Sequence, residues 1–193
     1  MDNKELEIKF LNIDIEQIRT KLISIGAELI LPEYIMKRKT FDFSKISPNK
    51  NKWGRIRKEA NKTTMTVKEI TGNTIEDVFE TEITVNDFDK ACKIFEECGI
   101  NSKSFQENKR EEWKYKNTSI TIDTWPGLPT FIEIESDSID SIKQTSEKLG
   151  YDYNDGVFGS IDFVYEKILK IPKEEIIILP EITFKNPPIK KVV

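Results

Sequence analysis

Glu5-Leu6-Glu7-Ile8-Lys9-Phe10 alternates charged and apolar residues without a break. Residues two apart in a strand share a face, so Glu5, Glu7 and Lys9 lie on one side and Leu6, Ile8 and Phe10 on the other. One such strand fits any half-exposed antiparallel sheet. The pattern returns, however, as Arg55/Arg57, Thr66/Lys68, Glu80/Glu82, Thr121/Asp123 and Glu133/Glu135. Repeated rows of charge opposite rows of apolar residues predict a sheet curled around a charged interior. The fold class expected is α+β: a closed or nearly closed antiparallel barrel of about eight strands, with helices packed outside.

The elements around that strand follow from periodicity and caps. Asp14 and Gln17 read as a capping box before the stripe Ile15, Ile18, Leu22 and Ile25, and Gly26 closes the helix. Strands are expected near residues 29–34, 38–43, 53–58, 63–69 and 78–85, with turns at Ser47–Asn51 and Thr71-Gly72-Asn73. Asn86 is expected to cap a second helix with core face Phe88, Ala91, Cys92 and Phe95, ending at Gly99. Later strands fall near 110–116, 119–123 and 130–135, and later helices near 138–149 and 160–169. Residues 1–170 read as one domain. Residues 171–193 read as a tail, with a docked strand at Glu175–Leu179 and a loose end through Pro187-Pro188-Ile189-Lys190-Lys191.

Composition narrows the chemistry. The 193 residues hold 30 basic and 34 acidic side chains, a net charge of −4, with none of the basic excess expected of a duplex-binding protein. Nucleic-acid duplexes and membranes are therefore not expected partners. No apolar run reaches spanning length and no signal-peptide core opens the chain, so a cytoplasmic location is the expectation. Histidine is absent, which removes imidazole catalysis and ordinary zinc sites. Cys92 and Cys98 lie six apart on one expected helix and read as small buried structural thiols. Trp53, Trp113 and Trp125 read as core or rim packing rather than platforms for bases.

A charged interior cannot be dry and calls for water, ions and a charged ligand. Arginines and lysines around a channel match polyphosphate oxygens. Clustered carboxylates without imidazole or thiol match Mg²⁺ or Mn²⁺. Together these are the minimal apparatus for phosphoryl or nucleotidyl transfer.

Glu5-Leu6-Glu7-Ile8-Lys9 resembles the Glu-x-Glu-x-Lys signature of the CYTH, or triphosphate tunnel metalloenzyme, superfamily, which includes class IV adenylyl cyclases and thiamine triphosphatases. The order that follows also resembles it: Arg55-Ile56-Arg57, Thr66-Val67-Lys68, Glu80-Thr81-Glu82, Lys109-Arg110-Glu111, Thr121-Ile122-Asp123, then Glu133-Ile134-Glu135. The resemblance covers Glu5 to about Leu169. It implies a tunnel with a bound divalent metal, Mg²⁺ or Mn²⁺, on Glu5, Glu7, Glu133 and Glu135, with Asp123 a further ligand. It implies triphosphate binding by Lys9, Arg55, Arg57, Lys68 and Arg110, with Arg38 able to touch phosphate from its own strand. Lys9, Arg57 and Lys68 are the catalytic residues implied. Glu80 and Glu82 are left open between a second metal and neutralising the basic rows.

Two positions depart from the pattern. Trp125-Pro126-Gly127-Leu128-Pro129 stands where many members have a Leu-Gly turn, and Thr40 stands where tyrosine is common. The first resembles bacterial members described as class IV adenylyl cyclases or simply as CYTH proteins. The function expected is a metal-dependent triphosphatase acting on inorganic triphosphate, a nucleoside triphosphate or thiamine triphosphate. The alternatives are an adenylyl cyclase, which releases pyrophosphate, and a polyphosphate or nucleotide sensor without turnover. The Ile-rich run is expected to dock either on the body of the protein or on a partner chain, the second of which would make a homodimer.

Overall fold

The computed structural model describes residues 3–4, 6–43, 45–49, 51–71 and 78–189. Glu5, the Gly72-Asn73 turn, and Lys190 and Lys191 lie outside them. The strands are β1 (Asn3–Lys4), β2 (Leu6–Phe10), β3 (Glu28–Asp42), β4 (Lys52–Lys58), β5 (Thr63–Ile70), β6 (Val78–Val85), β7 (Asn101–Tyr115), β8 (Thr118–Thr124), β9 (Phe131–Ser136) and β10 (Glu181–Ile182). The α-helices are α1 (Ile15–Ser24), α2 (Phe88–Glu97), α3 (Ile139–Lys148), α4 (Ile161–Leu169) and α5 (Lys173–Ile176).

Pairing runs β1-β6-β5-β4-β3-β7-β8-β9-β2, antiparallel throughout. The path begins and ends on successive pieces of the same N-terminal segment, so the sheet curls back toward its own start. Counting β1 and β2 as one strand and setting aside the appended β10, eight strands make the curled antiparallel wall. This is the α+β architecture expected from the alternation.

The apolar rows pack outward in three clusters. Ile8, Ile120 and Ile134 meet Ile18 and Leu22 of α1 and Ile142 of α3. Phe131 and Trp125 meet Val164 and Tyr165 of α4 and Ile176 of α5. Phe41 and Ile56 meet Ala91, Cys92 and Phe95 of α2. Each such side chain contributes about 1.5–3 kcal/mol by leaving water. Gly54 lets α2 approach: a Cβ there would stand 2.7 Å from the Phe43 ring and 2.9 Å from Phe95. The starts of α1 and α2 carry side-chain caps, with Asp14 accepting from the Gln17 N–H and Asp87 from the Lys90 N–H. The second cap falls on Asp87, one residue beyond the expected Asn86.

Three expectations change. Glu28–Asp42 forms one strand where two were expected, and register shifts around Leu31 and Tyr34 accommodate Pro32. Strand β7 begins at Asn101, far ahead of residue 110. Its first half, Asn-Ser-Lys-Ser-Phe-Gln-Glu-Asn, has poor intrinsic strand character, and pairing with the length of β3 imposes the conformation. The Ile-rich run expected as a strand opens instead as α5: Pro172 takes the N-cap and Ile176 is buried. The tail's strand is Glu181–Ile182, laid parallel on Phe105 and Gln106. Of the two cysteines, Cys92 is buried and its thiol pKa is pushed up to about 11 by burial, whereas Cys98 is exposed at the helix end.

Candidate functional site

Register assembles the charged rows on one face. Lys9 lies opposite Glu133 and Glu7 opposite Glu135. Arg110 lies between Asp123 on β8 and Tyr34 on β3. Arg38 pairs with Arg57, which pairs with Thr64. Arg55 lies opposite Thr66 and Trp53 opposite Lys68, and on β6 Glu82 and Glu80 follow in line.

The acidic wall is tied to two cations. Lys9, 3% exposed, places its Nζ 2.5 Å from Glu7 and 3.2 Å from Glu133. Arg110 grips Asp123 with two hydrogen bonds, Nε to Oδ1 at 2.9 Å and a terminal nitrogen to Oδ2 at 2.6 Å, and reaches Glu133 at 3.4 Å. The fully buried Asp123 also accepts from Asn108 and Thr121. Asn108 in turn accepts a 2.6 Å hydrogen bond from Arg38, whose guanidinium lies 4.5 Å from the centre of the Trp125 ring. On the basic wall, Arg55 stands 3.2 Å from Glu80 and 3.5 Å from Glu82, and Lys68 stands 3.2 Å from Glu80. Arg57 contacts Glu59 at 2.7 Å and Glu82 at 3.7 Å, while the Thr66 hydroxyl donates to Glu82 at 2.7 Å.

The electrostatics follow from burial set against these partners. Burial pulls Lys9 toward its neutral form, but Glu133 and Glu7 outweigh it and its pKa is raised. Burial opposes ionisation of Glu133, yet Lys9, Arg110 and Lys68 hold its pKa down to about 2. Glu82 is likewise held low, with burial opposing and Thr66 and Arg57 prevailing. Arg38 moves the other way: burial, then repulsion from Arg55, Arg57 and Arg110, pulls it well below the ordinary guanidinium range. Its Nε is buried without a hydrogen-bond partner. Four guanidiniums therefore press on one region of the concave face.

Lys9, Arg38, Arg55, Arg57, Lys68, Arg110, Glu7, Asp123 and Glu133 thus enter one connected field. Glu135 shares the face at an exposed position. Glu5 is outside the described residues. Glu80 and Glu82 contact the basic rows. Among the described residues no three acidic side chains gather into an ion-holding group. That is compatible with Mg²⁺, which is commonly held by one or two carboxylates completed by substrate phosphates and water. The hard oxygens of Glu7 and Glu133 suit it.

Sequence reading passed over Tyr34, Glu59, Asn108 and Glu112. The Tyr34 hydroxyl donates to Glu112 at 2.5 Å, and burial followed by that carboxylate raises its pKa. Glu59 and Asn108 each stand two residues from a recognised arginine, so extending the alternation by one step would have found them. Trp113 packs in the core, where its indole N–H donates to Glu111, and Trp125 is buried beneath Arg38. Trp53 is half-buried in the concave row.

A curled antiparallel sheet with buried arginines, lysines and carboxylates on its concave face makes a half-barrel with a charged interior. The family model described as the CYTH domain matches residues 3–156, and the chain belongs to that family. A conserved hypothetical protein of Pyrococcus furiosus is 26% identical, with a TM-score of 0.64 over 79% of this chain and 94% of that one. An adenylate cyclase candidate from Vibrio parahaemolyticus gives a TM-score of 0.68 at 16% identity, over 89% of this chain and 100% of that one. The Hippeastrum protein HpAC1, described as having a dominant triphosphatase activity, gives 0.52 at 14% identity, over 88% and 99%. No curated protein matches the chain significantly. No helix among the described residues is long and apolar enough to cross a membrane.

Proposed function

We propose that this protein is a cytoplasmic, divalent-metal-dependent triphosphatase whose concave face binds a triphosphate and releases orthophosphate. The observation carrying this reading is Arg38: buried, repelled by Arg55, Arg57 and Arg110, and with Nε lacking a hydrogen-bond partner. A polyanion among these groups would supply the missing acceptors and relieve the repulsion. Arg38, Arg55, Arg57, Lys68 and Arg110 hold phosphate oxygens, and Lys9 neutralises charge beside the carboxylates. Glu7 and Glu133, completed by substrate phosphates and water, would hold Mg²⁺ or Mn²⁺, and the sequence signature adds Glu5 and Glu135 as further ligands or near neighbours. Bound there, the metal would offset charge on the phosphate oxygens and lower the pKa of a coordinated water. Asp123, engaged by Arg110, Asn108 and Thr121, is suited to fixing Arg110 in position and can serve the metal only through a remaining lone pair.

The test is orthophosphate release from tripolyphosphate, ATP and thiamine triphosphate, each with Mg²⁺ or Mn²⁺. Release that disappears with chelator supports the reading. Cyclic AMP from ATP, with no orthophosphate from any substrate, would move the assignment to a cyclase. Binding without turnover that survives Glu133→Gln would make it a sensor.

A further inference from the structure

The row of arginines on β4 does not end at Arg57. Two residues on, and on the same face by alternation, comes Glu59, only 8% exposed. Its Oε1 lies 2.7 Å from Arg57 Nε but receives no directed hydrogen bond, and Oε2 lies 3.4 Å from Lys62. Beside it, across β5, the Thr64 hydroxyl is buried with no hydrogen-bond partner. Glu59 borders a cavity of about 520 Å³ between the β4–β5 turn and the end of β6. Glu59, Asn61, Lys62, Thr63, Thr84 and Asn86 supply its polar lining.

Resting on the triphosphate reading above, we infer that this cavity receives the sugar of a ribonucleoside triphosphate, with Glu59 accepting hydrogen bonds from the ribose hydroxyls. The triphosphate among Arg38, Arg55 and Arg57 would leave its organic end beside Glu59, the next residue of the same row. A buried carboxylate oxygen without a directed donor is matched by hydroxyl donors, and a vicinal diol supplies two. Among the described residues no aromatic ring lines the space, so the lining favours hydrogen bonding to sugar over stacking on a base. Inorganic triphosphate would leave Glu59 unmatched. Trp53, six residues back on β4 and so about 20 Å away, is the competing platform at the other end of the row.

The experiment is calorimetric binding of ATP, 2′,3′-dideoxy-ATP and tripolyphosphate to the full chain, without added metal so that turnover does not intervene. The variants are Glu59→Gln, the surface change Asn61→Ala, and Trp53→Phe. ATP should bind about tenfold or more tightly than dideoxy-ATP, the worth of hydrogen bonds to a charged acceptor. Glu59→Gln should shrink that ratio severalfold and Asn61→Ala should shrink it less, with tripolyphosphate affinity held within about threefold in both. Trp53→Phe should leave the ratio unchanged. Equal binding of ATP and dideoxy-ATP, with tripolyphosphate still bound, would overturn the sugar assignment alone. So would a ratio that follows Trp53 instead of Glu59. Failure of all three ligands to bind would remove the triphosphate reading, and the sugar assignment with it.

Discussion

The two faces of the sheet are held by different physics. On the convex face, Ile8, Ile120, Ile134 and Ile56 vanish beneath helices, and their burial adds directly to stability. On the concave face, cations and carboxylates neutralise one another at substantial burial, and the cost of desolvating each charge absorbs most of the attraction. The convex face makes the fold. The concave face uses that fold to hold charges that would otherwise be solvated.

Substitutions should separate the faces, and the largest effect belongs inside. Glu133→Gln keeps the shape but removes the anion that Lys9 and Arg110 share, so orthophosphate release should fall by about a hundredfold or more. The check is a rate normalised to folded protein. Ile8→Ala, on the convex face, should cost about 2–5 kcal/mol in denaturant unfolding and leave the rate per folded molecule unchanged. Gly54→Ala should cost about 1–3 kcal/mol, because the added carbon presses on Phe43 and Phe95. An unaltered unfolding midpoint would mean α2 has room to retreat. Asp14→Ala, removing only the cap of α1, should cost about 1 kcal/mol.

Acid offers a further contrast. Glu133 is depressed to about 2 in the folded protein, against an ordinary value of about 4.3 for the unfolded chain. Its contribution to stability is therefore complete above the unfolded value and is lost as pH falls from there through the folded one. Melting temperature should drop across that interval, and the drop should flatten in Glu133→Gln. A drop of the same size in the variant would place the acid sensitivity elsewhere.

The convex face was the more legible in sequence, since alternation reports which residues need company but not whom they meet. Ile8, Ile56 and Ile134 could be assigned to the core from periodicity alone. So could the membership of Arg55, Arg57 and Lys68 in one charged row. The extension of β7 back to Asn101 was hidden, because residues of low strand propensity take their conformation from β3. Tyr34 and Glu112 were hidden for a related reason, since each gains its chemistry from the other, distant in sequence. Glu59 and Asn108 lay one step along the alternation from Arg57 and Arg110, but alternation does not report that Asn108 joins Arg38 to Asp123. The tail misled because isoleucines suit a strand, while Pro172 and the burial of Ile176 favour one helical turn.

Tripolyphosphate with Mg²⁺ tests the assignment of the concave face most directly. Orthophosphate should accumulate with the intact protein, stop on chelation, and fall by about a hundredfold with Arg38→Ala while the protein stays folded. Full turnover by that variant, or no binding of tripolyphosphate to the intact protein, would contradict the account.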